Sequence, residues 1–246
     1  MTYCVGMLVN EGLAMIADTR TNAGVDNIST YRKLFVIEVP GERVIAIATA
    51  GNLSVTQTAL NRLKKGIKLP DSDAPETLMS APTLFRAAEL TGHAIKTVRH
   101  DFEAGLEAQS VDMGATILLG GQIRGGELGL YLIYPEGNAI ECGTDTPYLQ
   151  IGELKYGKPI LDRALQSETP LVEAVKLGLI SFDSTIRSNL GVGPHFDVIV
   201  IRPGTMKGAQ RRIDAGDPYF RDLGEQWSAA LAAAHRAMPA PPWDDI

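Results

Sequence analysis

The sequence predicts an α+β fold in which two β-sheets face each other between layers of helices. Four strand-like runs precede the first helix, a second set of strands follows two helices, and two helices, a strand and an alanine-rich helix complete the chain. With 246 residues, 45% of them hydrophobic, the chain can bury a sizeable core. We expect one domain over residues 1–238 and a disordered tail over residues 239–246.

Charge and cysteine content exclude several classes of partner. The net charge is −6 without a basic stripe, which argues against nucleic acid and anionic membranes. The two cysteines, Cys4 and Cys142, are too few for a disulfide scaffold. No apolar run is long enough for a membrane span, and the start lacks the features of a secretory signal. We therefore expect a cytoplasmic protein whose partner is a peptide, a small molecule or a protein.

The first two strands are predicted to form a hairpin. Residues 2–9 and 13–19 are apolar, β-branched runs, and a three-residue turn ending in Gly12 separates them. This register puts the side chain of Asp18 on the same face as that of Thr2. Both strands are apolar on both faces, which indicates an inner sheet in which the second strand is not an edge.

The remaining elements follow from turn residues and hydrophobic spacing. Segment 19–31 is rich in Thr, Asn, Gly and Ser and predicts an irregular loop, and three prolines predict another loop over residues 67–82. We expect the other strands at 33–37, 44–49, 115–123, 128–134, 139–142, 148–152 and 195–201, and helices ending near Gly66 and at 83–109, 158–166, 171–188 and 223–238.

Thr2 is the candidate for chemistry. Removal of Met1 would leave a hydroxyl and a free α-amine on one residue, so that nucleophile and base sit together. An α-amine has a pKa of about 7.7 to 8.0 and is partly unprotonated near neutral pH. Many chains begin Met-Thr, so the dipeptide needs support from the residues that follow it.

Three stretches provide that support: Thr2 to Gly6, Ile16 to Asn22, and Tyr148 to Leu161. With them the chain resembles the proteasome β-subunit family of N-terminal nucleophile hydrolases, and within it the bacterial proteasome-like group called Anbu. The resemblance implies a four-layer αββα sandwich, a threonine nucleophile, and homo-oligomers in the form of a ring or a helical assembly.

The resemblance also implies the roles of four residues. Thr2 corresponds to the nucleophile, Asp18 to a buried carboxylate and Lys33 to the active-site lysine, while the Gly51 amide would line the oxyanion hole. An ammonium favours ionisation of the threonine hydroxyl, and a carboxylate offsets the cost of burying that ammonium. Taken singly, Asp18 would be structural, Lys33 a solvated strand start and Gly51 a turn residue.

Two positions depart from the family pattern. Family members carry serine in a Gly-Ser-Gly stretch where this chain has Gly152 and Glu153, and they carry Arg-Asp followed by Ser-Gly where this chain has residues 187–191. These groups normally orient the α-amine. Glu153 or Ser188 is a candidate to replace them.

Other chemistry has little support. Cys4 lies in an apolar strand, where cysteine is usually inert, and no zinc or dinucleotide-binding motif occurs, so we expect neither a cofactor nor a metal. The sequence therefore predicts a threonine-type peptidase. The alternatives are an amidase acting on a small amide, or a catalytically weak scaffold that self-assembles.

Overall fold

The computed structural model describes residues 1–22, 28–106 and 113–243, in which three groups of strands alternate with three groups of helices. The strands are β1 (Tyr3–Val9), β2 (Gly12–Asp18), β3 (Arg20–Asn22), β4 (Ile28–Thr30), β5 (Leu34–Val39), β6 (Arg43–Gly51), β7 (Ala115–Ile123), β8 (Gly129–Ile133), β9 (Ala139–Glu141), β10 (Tyr148–Gly152), β11 (Phe196–Ile201) and β12 (Gly208–Ile213). The helices are α1 (Leu53–Lys65), α2 (Leu84–Leu106), α3 (Lys158–Ala164), α4 (Leu171–Ser188) and α5 (Pro218–Ala237).

Two five-stranded antiparallel sheets form the centre of the fold. The strand order is β10-β1-β2-β11-β12 in the first sheet and β5-β6-β7-β8-β9 in the second. One apolar cluster lies between the sheets, a second lies between the first sheet and α3, α4 and α5, and a third lies between the second sheet and α1 and α2. The predicted α+β, four-layer αββα sandwich is therefore confirmed, as is the inner position of β2.

Small residues let the two sheets approach closely. A methyl group added to Gly6 would lie 2.8 Å from a methyl carbon of Leu130, and one added to Gly120 would lie 2.7 Å from a methyl carbon of Leu13. Both distances are shorter than van der Waals contact, so larger residues at these glycines would push the layers apart.

The first hairpin has a different register from the predicted one. Val9 pairs with Gly12, so the turn contains two residues rather than three, and Cys4 faces Ala17 rather than Asp18. Gly12 lies in the strand and not in the turn. Glycine is needed there because a side chain would meet the carbonyl oxygen of Ile201, 2.5 Å away. The predicted shared face of Thr2 and Asp18 was therefore wrong.

Three further elements differ from the sequence expectations. The segment predicted as an irregular loop contains the short β3–β4 hairpin. Strand β12 was missed because its four central residues are exposed and largely polar. Helix α5 begins five residues earlier than expected, because Asp217 caps it and Pro218 occupies its first position.

Some expectations stay untested. The predicted end of α2 at Gln109, and residues 244–246 of the tail, lie outside the described residues, and the domain boundary at residue 238 stays a prediction. Among the described residues, no helix combines the length and the apolar character that crossing a bilayer requires.

A row of aromatic rings connects the first sheet to its helices. The ring centroids of Tyr3 and Phe182 are 4.4 Å apart, those of Phe182 and Phe196 are 5.0 Å apart, and those of Phe196 and Phe220 are also 5.0 Å apart. These rings link β1, α4, β11 and α5 in one packed unit. Phe182 is fully buried at its centre.

Phe182→Ala should lower the free energy of unfolding by about 3–5 kcal/mol, because it leaves a cavity among rings that cannot collapse into it. Phe85→Ala is the matched control, since that ring is 56% exposed, and should cost about 1 kcal/mol or less. Guanidinium unfolding of both variants measures the difference. Equal losses would contradict the role of the aromatic row.

Candidate active site

A cleft opens where several strand ends meet at one edge of the two sheets. Thr2 immediately precedes β1, Lys33 immediately precedes β5, and Gly51 and Gly152 end β6 and β10. The cleft has a volume of about 390 Å³. Its lining is Met1, Thr2, Thr21, Lys33, Thr49, Ala50, Gly51, Leu53, Thr56 and Gly152. Three of the four predicted site residues thus share one cleft.

The fourth, Asp18, lies beneath the cleft and holds Lys33. Lys33 Nζ donates to Asp18 Oδ1 at 2.8 Å and to the carbonyl oxygen of Arg20 at 2.5 Å. Asp18 is fully buried and Lys33 is only 4% exposed. Burial raises the pKa of the Asp18 carboxyl above its ordinary value, while the Lys33 ammonium and the Tyr3 amide oppose that shift. The lysine is therefore a fixed, buried group and not the solvated strand start that a lone lysine would suggest.

Asp18 also reaches the main chain next to Thr2, despite the altered register. Its Oδ1 accepts a hydrogen bond from the Tyr3 amide at 3.0 Å. One carboxylate oxygen therefore contacts both the lysine and the peptide unit that follows Thr2. The end of the hairpin brings these groups together without the shared strand face that the sequence analysis expected.

The backbone of Thr2 is held by the end of β10. The Thr2 carbonyl oxygen accepts from the Glu153 amide at 2.7 Å. Gly152 has φ of +84°, and a methyl group there would lie 2.1 Å from the same carbonyl oxygen. Only glycine permits this approach, so the start of β1 has a defined position relative to β10.

Gly51 lies on the opposite wall of the cleft. Its φ is +97°, and a methyl group on its Cα would lie 2.3 Å from the carbonyl oxygen of Gly114. Both constraints require glycine at this position. The residue is exposed and borders the cleft, which fits a main-chain donor for a substrate oxygen as well as a turn.

The two proposed replacements for the missing polar groups differ in their surroundings. Glu153 is 3% exposed, and its side chain accepts hydrogen bonds from the Lys155 amide and from Asn189. Ser188 is exposed at the end of α4. Glu153 is therefore the better candidate to replace the missing polar groups, because hydrogen bonds fix its side chain whereas that of Ser188 is exposed.

Other chemical groups are poorly suited to catalysis. Cys4 is fully buried, and burial raises the pKa of its thiol far above the ordinary range. Burial also raises the pKa of the Cys142 thiol, to about 12. Within the described ranges, no group of three or more His, Cys, Asp and Glu side chains could hold a metal ion.

Comparison with solved structures identifies the family. The chain superposes on a Gly-1 mutant of Anbu from Hyphomicrobium sp. strain MC1 with a TM-score of 0.90 and 43% identity, covering 99% of this chain and 100% of the relative. The chain belongs to the Anbu family. The Anbu protein from Yersinia bercovieri, described as an ancestral β-subunit, is 42% identical with a TM-score of 0.88, and 97% and 98% of the two chains are covered.

A third Anbu structure is described as a helical assembly of the complex from Pseudomonas aeruginosa. It is 42% identical, with a TM-score of 0.90 and coverage of 99% and 100%. No protein-family model matches the sequence, and no curated protein matches it. Membership of the Anbu family therefore rests on structural superposition together with sequence identity over nearly the whole chain.

Sequence reasoning missed the loop that follows α4. Arg20 Nη1 donates to the carbonyl oxygen of Leu190 at 2.9 Å, and its guanidinium packs on Gly193. Gly191 packs against Met1. Glycine at positions 191 and 193 lets Met1 and Arg20, both from the start of the same chain, approach this loop closely.

The buried ion pair generates a stability prediction. Asp18→Asn should lower the free energy of unfolding by about 3–5 kcal/mol, because it leaves the Lys33 ammonium buried without its counter-charge. Combining it with Lys33→Met should cost at least about 1 kcal/mol less than the sum of the single changes. Urea unfolding of the three variants measures this coupling.

The matched control is the exposed pair Lys158 and Asp162, which has the same Nζ–Oδ1 distance of 2.8 Å. Asp162→Asn should cost about 1 kcal/mol or less, since water screens the charges. Strictly additive losses at Asp18 and Lys33 would show that the two side chains do not stabilise each other.

Proposed function

We propose that this protein is a threonine-type hydrolase in which Thr2, exposed by removal of Met1, attacks the carbonyl carbon of an amide. The observation that carries the proposal is that Thr2, Lys33 and Gly51 line one cleft while Asp18 holds Lys33 from beneath. Membership of the proteasome-like Anbu family supports it.

The proposed reaction needs only groups of this chain and water. The α-amine of Thr2 accepts the hydroxyl proton as Oγ1 bonds to the carbonyl carbon. The Gly51 amide donates to the resulting oxyanion, and the Lys33 ammonium favours the negative charge on the attacking oxygen. The amine then gives the proton to the leaving nitrogen as the carbon–nitrogen bond breaks. Water hydrolyses the acyl ester by the same proton transfers in reverse.

The cleft favours substrates with small, uncharged groups. Three threonines, Thr21, Thr49 and Thr56, line it together with Ala50 and Leu53, and the Lys33 side chain in its wall is already paired with Asp18. The substrate is a peptide or a small amide in this proposal. Measuring hydrolysis of a library of peptide amides and of small primary amides distinguishes these two substrate classes. If neither is cleaved, the protein is the self-assembling scaffold instead.

We also propose a cytoplasmic homo-oligomer. Two features of the chain support the assembly: only Phe220 and Gly224 of α5 are buried, and Leu231 on the same helix is 51% exposed. The helical assembly of the Pseudomonas aeruginosa relative supports it further. Cys4 and Cys142 are both free thiols, as a reducing compartment would keep them.

The proposal predicts that activity requires a free amine on Thr2. A carrier fusion whose cleavage leaves Thr2 first should react about 10²- to 10⁴-fold faster with a lactone probe after cleavage than before it, because an amide nitrogen cannot accept the hydroxyl proton. The rate should rise with pH up to about 7.7–8.0, since only the unprotonated amine is the base. Mass spectrometry of the N-terminal peptide at successive times measures the rate at which Thr2 is acylated.

The control is the Thr2→Ala fusion, which after cleavage has the amine but lacks the hydroxyl. It should acquire no ester adduct. Equal reaction of the uncleaved and cleaved chains carrying Thr2 would exclude an N-terminal nucleophile, whatever the fold.

A further inference from the structure

The loop after α4 lies against the residue that precedes Thr2. A methyl group added to Gly191 would lie 2.7 Å from Met1 Cβ and 2.9 Å from Met1 Cγ. The Cα atoms of Met1 and Thr2 are about 3.8 Å apart because they share a peptide bond. Gly191 therefore lies beside Met1, on the side of Thr2 that carries its nitrogen, the atom that becomes the α-amine once Met1 is removed.

Glu153 lies on the other side of Thr2. Its amide donates to the Thr2 carbonyl oxygen, and its Oε1 accepts from the Lys155 amide at 2.9 Å. Burial acts to raise the pKa of Glu153, but the hydrogen bonds from the Lys155 amide and from Asn189 outweigh it and hold that pKa below its usual value. The side chain is therefore an ionised acceptor at neutral pH.

Asn189 connects these two sides. Its Nδ2 donates to Glu153 Oε2 at 2.7 Å, and its Oδ1 accepts from the Gly191 amide at 2.9 Å. A carboxylate can only accept and a main-chain amide can only donate, so a single orientation of the Asn189 side chain satisfies both partners. The bridge therefore runs from the end of β10, which holds the Thr2 carbonyl, to the loop that contacts Met1, the residue before Thr2.

We propose that Glu153 and Asn189 are positioning residues that hold the Thr2 nitrogen where, as a free amine, it can accept the proton of the Thr2 hydroxyl. The Glu153 amide holds the Thr2 carbonyl oxygen, and the bridge fixes the Gly191 loop on the nitrogen side of the same residue. Restricting the base to one geometry lowers the entropic part of the barrier to proton transfer. The inference rests on the proposed function, because it names the groups that support the same reaction.

The test exchanges the two polar groups. Glu153→Gln places an amide N–H against the N–H of Asn189, and Asn189→Asp places a second carboxylate against Glu153, so each single change breaks the bridge. The double variant Glu153→Gln/Asn189→Asp restores it with no change in net charge. In that variant the new amide donates to the new carboxylate, which still accepts from the Gly191 amide.

Each protein is made as the cleavable fusion that leaves Thr2 first. We measure the rate and the half-saturating concentration of acylation by the lactone probe, and the pH dependence of α-amine labelling by an acylating reagent. Both single variants should be acylated about 10- to 100-fold more slowly at an unchanged half-saturating concentration. Their labelling midpoint should differ from that of the parent, because the amine loses its fixed surroundings.

The double variant should recover to within about threefold of the parent rate, since its hydrogen bonds are all satisfied. Asn189→Ala breaks the bridge without adding charge. It should show the same slower acylation and shifted labelling midpoint, and it still tests the proposal if the other single variants fail to fold. Glu127→Gln and Asn138→Asp make the same chemical changes at exposed positions and should leave rate and labelling unchanged.

Two results would overturn the assignment: equal acylation and labelling in the parent and in Asn189→Ala, or a folded double variant as slow as the single ones. If no protein is acylated, the proposed hydrolase function fails, and the α-amine labelling then decides the positioning role by itself. A midpoint shift in Asn189→Ala that the double variant reverses supports that role, and identical midpoints exclude it.

Discussion

The cleft depends on a charged pair sealed inside the protein, Asp18 and Lys33. Asp18 ends a strand of one sheet and Lys33 precedes a strand of the other, so their contact joins the two sheets at the edge where the cleft opens. Taking one ionised group out of water costs several kcal/mol unless an opposite charge meets it. Each residue therefore makes the burial of the other tolerable, and the carbonyl of Arg20 satisfies a further donor of the ammonium.

The close packing of the two sheets allows that pair to form. Gly6 and Gly120 let the two sheets pack closely, and at the edge where the cleft opens the lysine that precedes a strand of one sheet reaches a carboxylate at the end of a strand in the other. Around this point the main chain supplies several polar contacts, including the Tyr3 amide on Asp18 and the Glu153 amide on Thr2. The site is consequently built from strand ends, where backbone groups have no further ladder partner along their own strand.

The sequence indicated the layers and most strands, and it named four residues that the structure places in or beneath one cleft, because hydrophobic periodicity and the family resemblance act over long stretches. It did not indicate the hairpin register, since Gly12 serves the close approach of Ile201, a contact between residues far apart in the chain. Strand β12 has an exposed, polar sequence that resembles a loop. The bridge through Asn189 joins segments separated by 36 residues, which no local pattern could reveal.

The position of residue 2 is set by contacts that any amino acid could make. Its carbonyl oxygen receives the Glu153 amide, Gly152 leaves room for that oxygen, and the following amide is held by Asp18. The scaffold therefore specifies where the first side chain stands without specifying what that side chain is. In evolutionary terms the framework and the reactive group are separable, so a lineage with this fold can exchange or lose its nucleophile while the architecture persists.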